Sequence, residues 1–512
     1  MNGKLVAVNL TNANTATSVY RCRTTGAAFI SVSICNRSAE TAEITLGVSD
    51  SANSSDVASI IEYKTELLPK NVLERTGVAV SSTQYLTVTS SVANVSVVAT
   101  GAETGTFDAS ISEIPLPVFE WSSTYAIDNP NDYSGANSDE FGKSIAIGNN
   151  YMVAGADLED DAGGSASGKA YVFNTSTGAL TYTLDNPNGH DTTAGDRYGF
   201  AVAVSDNHIV VSAPYEDDAN GVSQGKVYVY NPSTGALVRT IDNPSSSYLR
   251  GDQFGWALAI DGSTLLVGAH YYADYDGRAY LINAGTGSVL HTLENPNSYE
   301  LGTNDDTFGE SVAIHSNLCI VGAPNEDKAG SGAVGAAYIF NVSTGAVVYT
   351  LLNPDPDNDA QNDRFGSSVA IHGSYAAVGA PGEGSTPEGG YVYIYNTSTG
   401  ALLQSIAAPS DADSWTIGHR GTLAMNADYV FMGDYGATIA GEFGQGKVYV
   451  YRISTGALVH TIVNPQTASG VNNSQYFGSA VAALGNRIAV AEERHRVGFA
   501  DFAGKAHIYD LD

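Results

Sequence analysis

An aromatic or aliphatic residue followed by glycine recurs seven times, at Phe141, Tyr198, Phe254, Phe308, Phe365, Ile417 and Phe477, with 52 to 60 residues between successive copies. A repeat of this length, built from short strands, cannot bury a core alone and is the signature of a β-propeller blade rather than a helical solenoid. Each copy parses into four strands. The first is small and apolar, as in "SIAI" (144–147) and "AVAV" (201–204), which suits the crowded inner position of a ring. The second reads "YMVAGA" or "LCIVGA", the third "KAYVFN" or "KVYVYN", and the fourth "ALTYTLDNP" or "ALVRTIDNP". Alternation on the later strands marks pleated, half-exposed surfaces. The closing Asn-Pro ends the outer strand, because proline cannot donate to a ladder.

The seventh copy supplies "SAVAAL" (479–484), "RIAVAEE" (487–493) and "KAHIYD" (505–510) but no fourth strand. "WSSTYAIDNPND" (121–132) is a fourth strand with no other three before it. Pairing residues 123–130 with the C-terminal blade predicts a seven-bladed ring closed by strand exchange, which removes the open edges of a linear row of blades.

Composition agrees with an all-β chain: of 512 residues 55 are Gly and 30 Tyr, only 4 are Met, and 15% are charged. A net charge of −31, from 54 acidic and 23 basic residues, repels phosphate backbones and anionic membranes and argues against nucleic-acid binding. The start "MNGKLVAVNLTNAN" lacks the basic and apolar regions of a signal peptide, and no apolar run is long enough to span a membrane. Cys22, Cys35 and Cys319 are too few and too scattered for a disulfide framework and read as buried thiols.

The order F-G, S-V-A, V-G-A-P, G-x-x-Y-x-F resembles the FG-GAP repeats of integrin α-subunit propellers, and more closely the bacterial and viral variety. Phe308-Gly309 with "VGAP" (321–324), Phe365-Gly366 with "VGAP" (378–381) and Tyr198-Gly199 with "VSAP" (211–214) carry the likeness, and the seven copies span residues 121–512. The integrin-type calcium loop between F-G and G-A-P is missing, since that connection is as short as "GNN" (148–150). Residues 1–112 contain no propeller markers and read as a small β-sandwich, with residues 113–120 as linker. With "VLERTG" and "ANVSVVATG" this module is similar to N-terminal modules of marine bacteriophage virion and tail-fibre proteins, which implies an anchoring role.

Propeller connections alternate between two faces. Here the loops between strands two and three and between blades are long, as in "PYEDDANGVSQG" (214–225), whereas the other turns are short, as in "NTSTG" (174–178). Variable loops on a rigid scaffold are where recognition usually sits. The fourth strand's direction predicts that the linker joins on the short-turn face, opposite the long loops.

Several residues are candidates for a site. Lys143, Phe200, Trp256, Glu310 and Ser367 follow the F-G marker and should ring the mouth of the central channel; an asymmetric pocket and plain channel plugging both fit them. "HYYADYDG" places His270, Tyr271, Tyr272 and Tyr275 where other blades carry acidic loops, either to stack on sugar rings or to pack on a neighbouring loop. Asp355, Asp357, Asp359 and Asp363 have a calcium-loop spacing, with Ala360 where a turn glycine is usual, so a calcium ion and a solvated acidic turn are the two readings. Asp363 has counterparts in Asp139, Asp196, Asp252 and Asp306, which suggests a turn or capping role. The runs Asp157 to Asp161 and Glu216 to Asp218 read as a solvated face. No nucleophile-base, zinc or phosphate-loop motif is present.

The expectation is a non-enzymatic virion protein present in multiple copies. Its sandwich binds other virion proteins and its propeller decorates the particle or recognises a host-surface glycan or protein. The alternatives are a propeller hydrolase acting on surface polysaccharide, with two carboxylates across the channel, and a purely architectural ring.

Overall fold

The computed structural model describes residues 2–10, 17–21, 27–36, 41–49, 59–67, 72–81, 85–91, 95–103, 121–131, 139–160, 164–188, 193–218, 223–245, 251–297, 305–327, 333–354, 362–383, 390–409, 418–419, 421–439, 441–465, 474–494 and 503–511. The chain divides into two compact units, Met1–Phe119 and Glu120–Asp512. In the first, Asn2–Leu10, Val95–Glu103, Ala27–Asn36 and Val72–Ser81 form one antiparallel sheet in that spatial order. Thr17–Arg21, Tyr85–Ser90, Ala42–Ser49 and Ser59–Leu67 form another. Buried Val32 and Ile34 in one sheet, and Ala42, Ile44, Leu46 and Val48 in the other, keep the period of two that gives each strand one apolar side.

The second unit is a seven-bladed β-propeller of four-stranded antiparallel sheets, six of them in sequence order. Blade 1 runs Ser144–Ile147, Tyr151–Ala156, Lys169–Asn174 and Leu180–Asp185 from the axis outward. Blades 2 to 6 repeat it, beginning with the inner strands Val202–Val204, Ala257–Asp261, Ser311–His315, Ser368–His372 and Leu423–Met425. In blade 7, Phe477–Leu484, Arg487–Glu492 and Lys505–Leu511 are followed outward by Trp121–Asp128. That pairing is antiparallel, with Trp121 opposite Leu511 and Asp128 opposite Lys505. Trp121 therefore lies at the end of the blade where Arg487 and Asp510 pair, beside the turn between strands one and two. This is the short-turn face.

The repeat marker is explained by close approach of adjacent blades. Gly199 holds φ +93°, and a Cβ there would sit 2.2 Å from the Lys169 carbonyl oxygen of blade 1, so only glycine fits. The aromatic partner is wholly buried and packs edge-on against third-strand rings, as Phe141 does on Tyr171 at 5.7 Å and Phe173 at 6.0 Å. Parallel bridges from the marker to the preceding blade, Tyr198 with Gly168 and Phe141 with Gly504, repeat this contact around the ring. Ile127 of the N-terminal strand and Ile508 of the C-terminal strand share one core cluster with Met152 and Phe173 of blade 1.

Half of the described acidic residues in these two runs are buried, which corrects the expectation that the runs only solvate a face. Asp157, Glu159 and Glu216 are fully buried, although Asp160 is exposed. Glu159 accepts a hydrogen bond from the Tyr171 hydroxyl at 2.8 Å and pairs with Lys169 at 3.1 Å, and Glu216 does the same with Tyr228 and Lys226. Tyrosine and lysine on strand three supply the partners that water would otherwise supply. Asp139, Asp196, Asp252, Asp306 and Asp363 each accept a hydrogen bond from the asparagine that ends the preceding outer strand; Asn353 reaches Asp363 at 2.8 Å. The asparagine of Asn-Pro thus ties one blade to the loop that starts the next. Cys319 is a buried thiol, whereas Cys22 and the side chain of Cys35 lie outside the described residues.

Candidate functional site

A cavity of about 510 Å³ opens on the ring axis at the end where the F-G markers start the inner strands. Its floor is one aliphatic side chain from each blade: Ile145, Val202, Leu258, Val312, Val369, Leu423 and Val481. These follow from the small apolar inner strands, which let seven chains converge without a clash. The rim is asymmetric, because the positions just after the markers hold lysine, phenylalanine, tryptophan, glutamate, serine, histidine and serine in blades 1 to 7.

Blades 7 and 1 carry charge. The Lys143 ammonium lies 3.1 Å from Glu493 and 3.3 Å from Glu140. Burial works against the charged form of Lys143, but the two carboxylates outweigh it and raise its pKa. Burial also raises the pKa of Glu493, partly offset by Lys143. Behind them Asp157 is fully buried; burial pushes its carboxyl up to about 7, against the pull of Lys143. Among the described residues neither Asp157 oxygen finds a hydrogen-bond donor, and Arg197 approaches to 3.8 Å.

Blades 2 and 3 carry rings. Phe200 and Trp256 have centroids 4.6 Å apart, and Trp256 lies 4.0 Å from His270. The row continues through Tyr271 to Tyr275, whose hydroxyl donates to that of Tyr271 at 2.8 Å. Tyr272 turns away, and the Arg278 guanidinium covers its ring at 3.6 Å. On the far side His419, Tyr435 and Tyr476 line the cavity, with Arg494 4.5 Å from the Tyr476 ring.

Of the residues expected from sequence, Lys143, Phe200, Trp256 and Glu310 line this one cavity, whereas His270, Tyr271 and Tyr275 stand behind Trp256 in a row of ring contacts and do not line it. Ser367 does not: it is buried, its hydroxyl donates to the Arg364 carbonyl at 2.8 Å, and Ser368 lines the cavity instead. Asp355, Asp357 and Asp359 lie outside the described residues, and the Asp363 carboxylate is engaged by Asn353.

Glu493, Tyr435, Tyr476, His419 and the role of Asp157 were not anticipated, yet a signal for three of them exists. The proline of V-G-A-P occupies Pro214, Pro324 and Pro381 in blades 2, 4 and 5, whereas the same register position holds Asp157, His270, Tyr435 and Glu493 in the others.

Among the described residues no helix is long and apolar enough to cross a membrane. A search of curated proteins returned no match to the chain. The FG-GAP repeat family matches five times, at residues 132–173, 189–230, 246–282, 302–340 and 356–395, which take in the first three strands of blades 1 to 5. Blades 6 and 7 keep the same strand order and complete the ring. With five matched copies on one seven-fold frame, this chain carries FG-GAP repeats built into a seven-bladed β-propeller.

Proposed function

We propose that the protein is a non-enzymatic bacteriophage virion component, present in several copies, whose propeller recognises a glycan or protein on the host surface. Residues 1–112 would bind other virion proteins, as their likeness to phage N-terminal modules suggests. The observation that carries the recognition role is the axial cavity, apolar at its floor and chemically different on each side of its rim. A ring that served architecture alone would not need charge on blades 7 and 1 and rings on blades 2 and 3. Propellers of this repeat type often serve binding, and function lies in the site rather than the fold. An array of bacterial surface polysaccharides, read together with a reducing-end assay, tests the proposal. Binding without sugar release is expected; no binding on the array or to host cells would sink it.

One observation favours a hydrolase instead. Glu140 and Glu493 both reach the Lys143 ammonium, so two carboxyl groups share one small volume beside the cavity, and burial raises the pKa of Glu493. Release of reducing ends that disappears in Glu493→Gln would establish that reading over the first.

A further inference from the structure

We propose that the axial cavity receives the terminal residue of an uncharged glycan, seated with a methyl-bearing substituent against the aliphatic floor; this rests on the recognition role given above. Five features of the cavity lead there. It lies on the ring axis, with lining residues from all seven blades. A polymer cannot lie across a hole walled on every side, so only a chain end can enter.

The cavity's charged lining residues are already neutralised. Lys143 is paired with Glu140 and Glu493, and Glu310 with Arg364 at 3.4 Å. An ionic ligand would have to break one of these part-buried pairs and leave a charge uncompensated. Hydroxyl groups need no such exchange. They can donate to the Glu493 carboxylate and accept from the Lys143 ammonium while that pair stays together.

Polarity also changes with depth. The rim offers carboxylates, an ammonium, His419 and Tyr435, while the floor is aliphatic in every blade. A ligand matched to this order has hydroxyls at one end and an apolar group at the other. Among sugars that is the methyl of a 6-deoxyhexose or of an N-acetyl group. The Phe200 and Trp256 rings, 4.6 Å apart on one wall, add an apolar surface that suits the C–H face of a pyranose. A volume of about 510 Å³ falls within the usual range for small-ligand sites.

The test is titration calorimetry of the intact chain with methyl glycosides of N-acetylglucosamine, rhamnose, glucose and glucuronic acid. One seated methyl predicts a preference of roughly tenfold for the first two over glucose, and no binding of the acid. Which of the first two binds better identifies the substituent. Val312→Thr, which keeps shape but makes the floor polar, should remove most of the preference while hydroxyl-dependent binding remains. Glu493→Gln should weaken every sugar, with unchanged circular dichroism showing that the blades still form. Equal binding of glucose, preference for the acid, insensitivity to both substitutions, or no binding by any of the four sugars overturns the proposal. In the last case, retained binding on the polysaccharide array would leave the recognition role standing and the terminal-sugar inference fallen.

Discussion

Replacing Glu326 with glutamine should make the propeller's stability less dependent on pH. Glu326 is 5% exposed and accepts a hydrogen bond from the Tyr338 hydroxyl at 2.7 Å, the same device that fixes Glu159 and Glu216. The lysine that compensates those two, Lys169 or Lys226, is replaced at the equivalent register position by Ala336. Burial accordingly pushes the Glu326 carboxyl up to about 7, with the Tyr338 hydrogen bond opposing. A folded-state pKa above the unfolded one favours the folded state fully below the ordinary glutamate range, and that advantage is lost as pH rises through 7. For a shift from 4.5 to about 7, the ionised side chain costs the fold about 3 kcal/mol at pH 8 and under about 1 kcal/mol at pH 5. Glutamine carries no charge at either pH, and whatever its amide costs in packing is the same at both. Denaturant melts of wild type and Glu326→Gln at pH 5 and pH 8 should therefore show the variant gaining about 2 to 3 kcal/mol relative to wild type over that interval. An equal difference at the two pH values would refute the reasoning, because it would mean that Glu326 titrates alike in both states. Glu159→Gln is the control: it removes one of the two carboxylates that pair with Lys169 and should gain less.

Asp157 and Glu159, each pushed up to about 7 by burial, and Asp306, pushed up to about 6, act in the same direction as Glu326. Wild-type melting temperature should fall between pH 5 and pH 8, and a rise across that range would contradict their burial. Ile127→Ala should cost about 2 to 4 kcal/mol, since it empties part of the cluster shared by the N-terminal strand, the C-terminal strand and blade 1. Hydrogen exchange should localise that loss to Lys505–Leu511 and its neighbours rather than to blades 3 to 5; uniform loss around the ring would count against it.

Sequence periodicity was enough to count blades, order their strands and separate the inner strand from the rest, because each of these depends on short-range pattern and on glycine at sites of backbone contact. It was also enough to place Lys143, Phe200, Trp256 and Glu310 on one rim, since the residue after the marker is fixed by the turn. Ser367 escaped because its short hydroxyl found a carbonyl three residues back, a choice that spacing does not reveal. The burial of Glu159 and Glu216 escaped for another reason. An acidic run in a loop looks solvated until the third-strand tyrosine, 12 residues on, is known to face it.

Repetition itself separates the residues that hold the ring from those that use it. Where the copies agree, as at the marker glycines in all seven or the Asn-Asp ties that lead into blades 1 to 5, one structural requirement recurs and the residue answers to it. Disagreement at a position with the same register needs a different cause. Proline serves that position in blades 2, 4 and 5, so the backbone there accepts proline; Asp157 and Glu493 hold it in blades 1 and 7 at the cost of a buried carboxyl group in the first and a part-buried one in the second. Lys143 recovers part of that cost for Glu493, and Arg197 at 3.8 Å only partly serves Asp157. A ring selected for stability alone would gain from proline in all seven copies. The costly departures lie on adjacent blades and surround one ammonium at the cavity rim, and that grouping is what a binding site, not drift among repeats, would produce.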